Sequence, residues 1–257
     1  MGFLYDGIDD CGFFPDAPTL RVGTVGSISL WFNLSDVTTR KVLITFGLTT
    51  ATGKNNGIVT DSGSVRAFIR GEADIVGDAI SINTGYHVLL TWNSSDVNIY
   101  LNGGTPANGS RTFDITNGGG GLGCFLNSTT PTVPEAVSAG QITEVAIYSV
   151  EITSASDIFN LAKSRIKRMP LQVQGPSLAA YWPMTNVAHG VSGDGVTIKD
   201  ISGNGNDATG NDGGNNTGLT GQAEEILSHP VYSGIVAGAV SSKIPIFDHH
   251  YRQMRAC

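Results

Sequence analysis

Apolar and polar residues alternate through the first part of the chain. Ser27-Ile28-Ser29-Leu30-Trp31-Phe32 puts Ile28, Leu30 and Phe32 on one face. Val42, Ile44 and Phe46 alternate in the next run, and Val65, Ala67 and Ile69 face away from Arg66 and Arg70. Tyr86, Val88, Leu90 and Trp92 share a face, as do Val97, Ile99 and Leu101. Successive side chains of a strand point to opposite faces, so period two predicts strands. The polar link Asn93-Ser94-Ser95-Asp96 makes residues 86–101 a predicted hairpin, and Ile142 to Tyr148 is a further strand. Many short strands with frequent turns predict an all-β fold, a two-sheet antiparallel sandwich of jelly-roll type.

One segment departs from this pattern. Ser154-Ala155-Ser156-Asp157 has the spacing of a capping box, and Ile158, Leu161, Ala162 and Ile166 follow at helical spacing up to Pro170. A single peripheral helix is therefore predicted over 154–168. Its Lys163, Arg165, Lys167 and Arg168 complement the negative end of the helix dipole, or form a patch for an acidic partner. Residues 186–221 are rich in Gly, Asn and Asp and read as long surface loop. The tail 226–257 carries β-favouring pieces such as Val231-Tyr232 and Ile244-Pro245-Ile246-Phe247.

Composition supports many turns: the 257 residues include 34 glycines, and only 14% are charged. The net charge of −7 argues against nucleic-acid binding, which needs a basic surface. No run approaches the length of a membrane span, and no secretory signal precedes Phe3, so neither membrane insertion nor secretion is expected. Without a signal, the sequons at Asn33, Asn93, Asn108, Asn127 and Asn215 carry no weight as glycan sites. Cys11, Cys124 and Cys257 are odd in number and far apart, which predicts reduced, mostly buried thiols.

Five stretches in order resemble the concanavalin A-like lectin/laminin-G-like family. They are Phe3-Leu4-Tyr5-Asp6-Gly7-Ile8-Asp9-Asp10, the run 27–32, Gly85 to Trp92, Val97 to Gly103, and Gly140 to Tyr148. With the short helix that follows where the family has one, they cover residues 3–160, and the resemblance implies a concanavalin A-like jelly roll. A sixth stretch is out of order. Leu178-Ala179-Ala180-Tyr181-Trp182-Pro183-Met184, followed by Asp200-Ile201-Ser202-Gly203-Asn204-Gly205-Asn206-Asp207, resembles a block that in the family precedes the Tyr5-Asp6-Gly7 strand. Too few residues follow Asp207 for a second sandwich. Circular permutation is the favoured explanation, with 178–209 closing the same domain, residues 1–225. The variant is donation of this strand to a neighbouring protomer.

Candidate chemistry is sparse. The family resemblance implies calcium as a candidate cofactor, with Asp6, Asp9, Asp10, Asp200, Asn204, Asn206 and Asp207 as oxygen donors; permutation would allow the two groups to meet. The competing explanation is that Asp-Gly and Asn-Gly sequences make turns by themselves. Glu72-Ala73-Asp74-Ile75-Val76-Gly77 resembles the laminarinase strand, but Gly77 stands where the second carboxylate of a retaining glycosidase is required. Gly118 to Gly123 reads as a flexible hairpin connection rather than a phosphate loop, since no Lys-Ser/Thr follows. His249-His250 lacks a third metal ligand.

The chain is therefore expected to be no enzyme. Its body, with Lys167 to Gln172 beside Leu178 to Met184, resembles surface proteins of tailed-phage virions. That implies a capsid-decorating or head or tail fibre component, made in the bacterial cytoplasm and displayed on the particle. Expected partners are capsid or tail proteins, further copies of the chain, and surface glycans. Docking is assigned to the extension 226–257, through Tyr232, Ile244, Phe247, His249, Tyr251 and Arg252. The alternative is a stand-alone carbohydrate-binding lectin module.

Overall fold

The structure, a computed structural model, describes residues 2–47, 55–126, 136–163, 170–184, 192–211 and 220–222. The chain divides into a body, Met1–Leu227, and a separate unit, Ser228–Cys257, which lies outside the described residues together with all six predicted docking residues.

The strands are β1 (Gly2–Asp6), β2 (Cys11–Phe14), β3 (Gly26–Leu34), β4 (Lys41–Phe46), β5 (Asn56–Asp61), β6 (Ser64–Ile69), β7 (Ile75–Ala79) and β8 (Tyr86–Trp92). They continue with β9 (Val97–Leu101), β10 (Ala107–Gly109), β11 (Gly120–Leu122), β12 (Ala139–Tyr148), β13 (Leu178–Trp182), β14 (Thr197–Ile198), β15 (Ala208–Asn211) and β16 (Thr220–Gln222). Helix α1 (Ala155–Ala162) lies between β12 and β13. Two eight-stranded sheets result, and every pairing is antiparallel. Sheet one runs β10-β9-β8-β3-β12-β1-β16, with β13 also on β12. Sheet two runs β14-β15-β2-β11-β4-β5-β6-β7. The fold is the all-β, two-sheet antiparallel sandwich that the alternation predicts.

The predicted inward faces meet between the sheets. Ile28, Leu30 and Phe32 pack with Val88, Leu90, Trp92, Val97 and Ile99 from sheet one, and with Ile44, Phe46, Val65 and Ala67 from sheet two. One predicted face breaks. The β4–β5 register shifts between Val42 and Ile44, so Leu43 and Ile44 both enter the core. Val42 turns outward to Val59 and Phe125. A bulge inserts one residue and reverses the alternation on its far side.

Strand β13, from the out-of-order block, joins sheet one through β12. Strand β12 pairs along one edge with β3. Its other edge is shared end to end: Ala139 to Ile142 pair with β1, and Val145 to Tyr148 pair with β13. Glu144, with φ +55°, marks the junction between these two partners.

Several expectations need correction. Cys11 and Cys124 form a disulfide rather than two thiols. Strand β11 brings them together, because Leu122 pairs with Gly12 and the two Cα atoms stand 5.5 Å apart. That same strand contradicts the reading of Gly118 to Gly123 as a flexible connection. Gly120 has no side chain because a Cβ there would meet the Thr45 carbonyl oxygen at 1.9 Å, so glycine is what lets β11 fit between β2 and β4. Helix α1 is shorter than 154–168: Lys163 follows it with non-helical backbone, and 164–169 lie outside the described residues. The Ser154 side chain bonds Ser156 and the Asp157 carboxylate accepts from Gln174, so the reciprocal capping-box bonds are not made. Within 186–221, read as loop, β14, β15 and β16 extend both sheets.

Candidate functional site

The outer face of sheet one is divided in two. At one end Ile158, Leu161 and Ala162 of α1 are buried, the first two against Leu89, Ala146, Tyr148 and Tyr181. This apolar cover fixes the helix to the sheet. Beside it the face turns polar: Ser29 Oγ lies 2.9 Å from His87 Nε2, and the His87 ring packs on Trp31 with centroids 5.3 Å apart.

At the other end is a cleft of about 300 Å³, lined by Leu4, Asp6, Asn33, Ser35, Asn83 and Gln141 among others. Three of these form one row across the strands, since Leu4 pairs with Gln141 and Gln141 with Asn33. Their chain neighbours Phe3, Tyr5, Ile142, Phe32 and Leu34 all enter the core. Alternation therefore puts the row on the outer face. The backbone N–H of Asn83 donates to the Leu34 carbonyl at 2.7 Å and holds the 81–85 turn beside the cleft. Gln141 is only 2% exposed, and neither its Oε1 nor its Nε2 has a hydrogen-bond partner.

Next to the cleft is the turn between β1 and β2. Gly7, at φ +85°, lets the chain reverse where a Cβ would meet Ala139 Cβ at 2.7 Å. Asp6 Oδ1 accepts from the Ile8 N–H at 2.7 Å, and Asp10 Oδ2 accepts from the Asp6 N–H at 2.5 Å. Asp6, Asp9 and Asp10 thereby converge, each offering an oxygen within 4.8 Å of the others. Asp10 is fully buried and its Oδ1 has no hydrogen-bond partner. Burial, reinforced by the charges of Asp6 and Asp9, pushes its carboxyl up to about 7 against the opposing Asp6 N–H bond. Burial and the nearby Asp10 charge push the Tyr5 hydroxyl far above its ordinary range.

The orphaned Asp10 oxygen and the all-oxygen donor set fit a hard divalent cation. Asp6, Asp9 and Asp10 would hold it. Bound there, the ion would neutralise the cluster and tie the turn to the start of β2.

The other predicted donors are committed elsewhere. Asp200 Oδ1 accepts from the N–H groups of Tyr181 and Ser202, both at 2.9 Å, and Oδ2 accepts from the Asn206 N–H at 2.9 Å. Asn204 Nδ2 donates to the Leu178 and Ala179 carbonyls at 2.8 and 3.1 Å. Asn206 Nδ2 donates to Ala179, and the Asn206 carbonyl accepts from the Trp182 indole, both at 2.8 Å. Asp207 pairs with Lys199 at 2.5 Å and accepts from the Asp200 N–H at 3.0 Å. This loop fastens β13. The metal-prone cluster found among the described residues contains Asp6, Asp9 and Asp10 and does not include Asp200 or Asp207. His249 and His250 lie outside the described residues.

The profile of the concanavalin A-like lectin/glucanases superfamily matches residues 6–157, more than half of the chain. The chain belongs to that superfamily. Similar solved structures include a Bacteroides ovatus protein provisionally named as carbohydrate-binding. It is 15% identical, with a TM-score of 0.58 over 86% of this chain and 59% of that one. Others are the CBM40 of a Ruminococcus gnavus IT-sialidase bound to α2,3 sialyllactose and mouse laminin α1 domains LG4-5. The CBM40 is 14% identical with a TM-score of 0.48, covering 62% of this chain and 96% of that one. The laminin pair is 12% identical with a TM-score of 0.44, covering 60% and 44%. At such identities the likeness concerns the fold. No curated protein sequence matches the chain.

The superfamily includes glucanases as well as lectins, so the laminarinase-like stretch matters. Asp74 is paired with Arg40 at 2.6 Å and lies 3.9 Å from Arg66, while Glu72 lies 3.4 Å from Arg111. Both carboxylates serve an ion-pair network that ties the turn before β7 to its neighbours. Among the described residues no helix is long and apolar enough to cross a membrane.

Proposed function

We propose that this superfamily member is a non-catalytic glycan-recognition module. The observation that carries the reading is the divided outer face of sheet one: α1 covers one end, and a cleft lined by Leu4, Asp6, Asn33, Ser35 and Gln141 opens at the other. Small-ligand sites are concavities with a few well-placed polar groups. The engagement of Glu72 and Asp74 in ion pairs supports binding without hydrolysis.

The setting we propose is the surface of a phage particle, with capsid or tail proteins and further copies of the chain as partners. The β-favouring pieces Val231-Tyr232 and Ile244-Pro245-Ile246-Phe247 support a docking role for 226–257. The Cys11–Cys124 bond withdraws one argument for assembly in the bacterial cytoplasm, since reduced thiols no longer speak for it.

A glycan array with parallel incubation for hydrolysis products tests the module. Saturable binding without cleavage is expected, and absence of any glycan binding overturns the reading. For the setting, the gene is expected among capsid or tail genes. A location elsewhere removes the virion role and leaves the stand-alone lectin.

A further inference from the structure

We propose that the cleft takes one neutral sugar unit, with Gln141 as its central hydrogen-bonding group. This rests on the glycan-recognition reading and adds the ligand class and the residues that select it.

Gln141 lies in the middle of the Leu4–Gln141–Asn33 row, with both amide atoms buried and unpartnered. A primary amide offers two donors and an acceptor, and burying it without partners is costly. Nothing in the described fold repays that cost, whereas a ligand hydroxyl, which both donates and accepts, would satisfy either end. Asp6 and Ser35 lie at the exposed margin, where they can accept from further hydroxyls. Leu4 adds a half-buried apolar surface for the C–H face of a sugar ring.

Charge and size narrow the class. The described lining contains one carboxylate, Asp6, and no cation. In the calcium-free protein a sialylated, uronic or sulfated sugar would bring its own anion beside Asp6 without a counter-charge, so the array is run after chelation. A neutral sugar meets no such repulsion, and its hydroxyls donate well to a carboxylate. The volume of about 300 Å³ is at the lower end for small-molecule sites, which suits one sugar unit rather than an extended oligosaccharide.

The test uses the full chain on an array holding neutral, sialylated and sulfated glycans. It includes Gln141→Leu, which removes the amide, and Ser35→Tyr, which blocks the mouth from an exposed position. Melting curves confirm that each variant is folded. Binding to neutral terminal sugars, weakened at least tenfold by both variants, supports the inference. If Gln141→Leu does not fold, Ser35→Tyr decides alone. Binding that neither variant weakens, or that is confined to anionic glycans, overturns the inference while the glycan-recognition reading survives. Failure to bind any glycan overturns both.

Discussion

Trp182 pairs with Val145 on the same edge of β12 that carries β1. The late Tyr181-Trp182 strand thus completes an edge that the first strand begins. Gly2, at the head of β1, pairs in turn with Gln222 of β16, so the body's beginning and its last described strand are adjacent. A permutant that runs 175–222, then a short linker, then 2–174 should fold, because only loop connections change. Its circular dichroism spectrum should match the parent's, and its melting temperature should lie within about 5 °C for a linker effect of roughly 1 kcal/mol. An unfolded permutant would show that the order of the two blocks is a requirement of this fold rather than one of two equivalent openings.

Trp182 is also a core anchor. It is fully buried, stacks on Phe14 with centroids 5.0 Å apart, and donates its indole N–H to Asn206. Trp182→Ala should cost about 3–5 kcal/mol, measured by urea unfolding, through the cavity and the lost transfer energy. Asn206→Ala should cost less, since the indole contact is to its main-chain carbonyl; it removes the bond to Ala179 and the one from Thr19.

The disulfide joins β2 to the residues after β11 across a separation of 113 positions. Closing so long a loop restricts the unfolded chain, and its loss should lower stability by about 2–5 kcal/mol. Cys11→Ala/Cys124→Ala should therefore show an earlier urea midpoint than the oxidised parent. Peptide mapping without reduction should recover the two cysteines in one linked fragment.

The alternation made most of this legible. The strands at 27–32, 65–69, 86–92 and 97–101 have their predicted faces because burial between two sheets imposes period two directly. Strand β11 was hidden, since Gly120-Gly121 carries no side-chain periodicity and its glycines answer to neighbouring backbone. The cysteine pair was hidden with it, because only the β2–β11 register brings the two residues together. Val42 misled because a bulge leaves no mark in the hydrophobic pattern. At the site, the acidic turn was readable as Asp6-Gly7-Ile8-Asp9-Asp10, but its separation from Asp200 was not. Gln141 was passed over inside a strand motif. Its outward position follows from alternation with Ile142, whereas its unpartnered burial depends on the third dimension.

Calcium should bind at the β1–β2 turn and stabilise the body. At about 100 times its dissociation constant a single site adds about 2.7 kcal/mol. After chelation, adding CaCl₂ should raise the melting temperature, and the rise should disappear in Asp9→Asn and Asp10→Asn. Magnesium should do less, because it demands a stricter octahedron and sheds its waters reluctantly. An equal rise in the variants would place the ion elsewhere.

Asp36 sets an acid limit that is independent of the turn. The Thr38 backbone N–H at 2.9 Å, then the Thr38 hydroxyl at 2.7 Å, with Lys41 at 3.3 Å, hold its carboxyl at about 2. The folded value lies below the ordinary carboxylate value of about 3.9, so the unfolded chain takes up this proton first. The contribution of Asp36 is therefore fully present above about pH 4 and fades as the pH falls towards 2. The group is partly exposed, so the site-specific titration is a better measure than global stability. Carbon-detected NMR should find the Asp36 midpoint near 2 in the parent. Thr38→Val removes the hydroxyl but keeps the backbone donor, and should move the midpoint part of the way up. A midpoint unchanged by Thr38→Val would assign the depression to the backbone N–H and Lys41 alone.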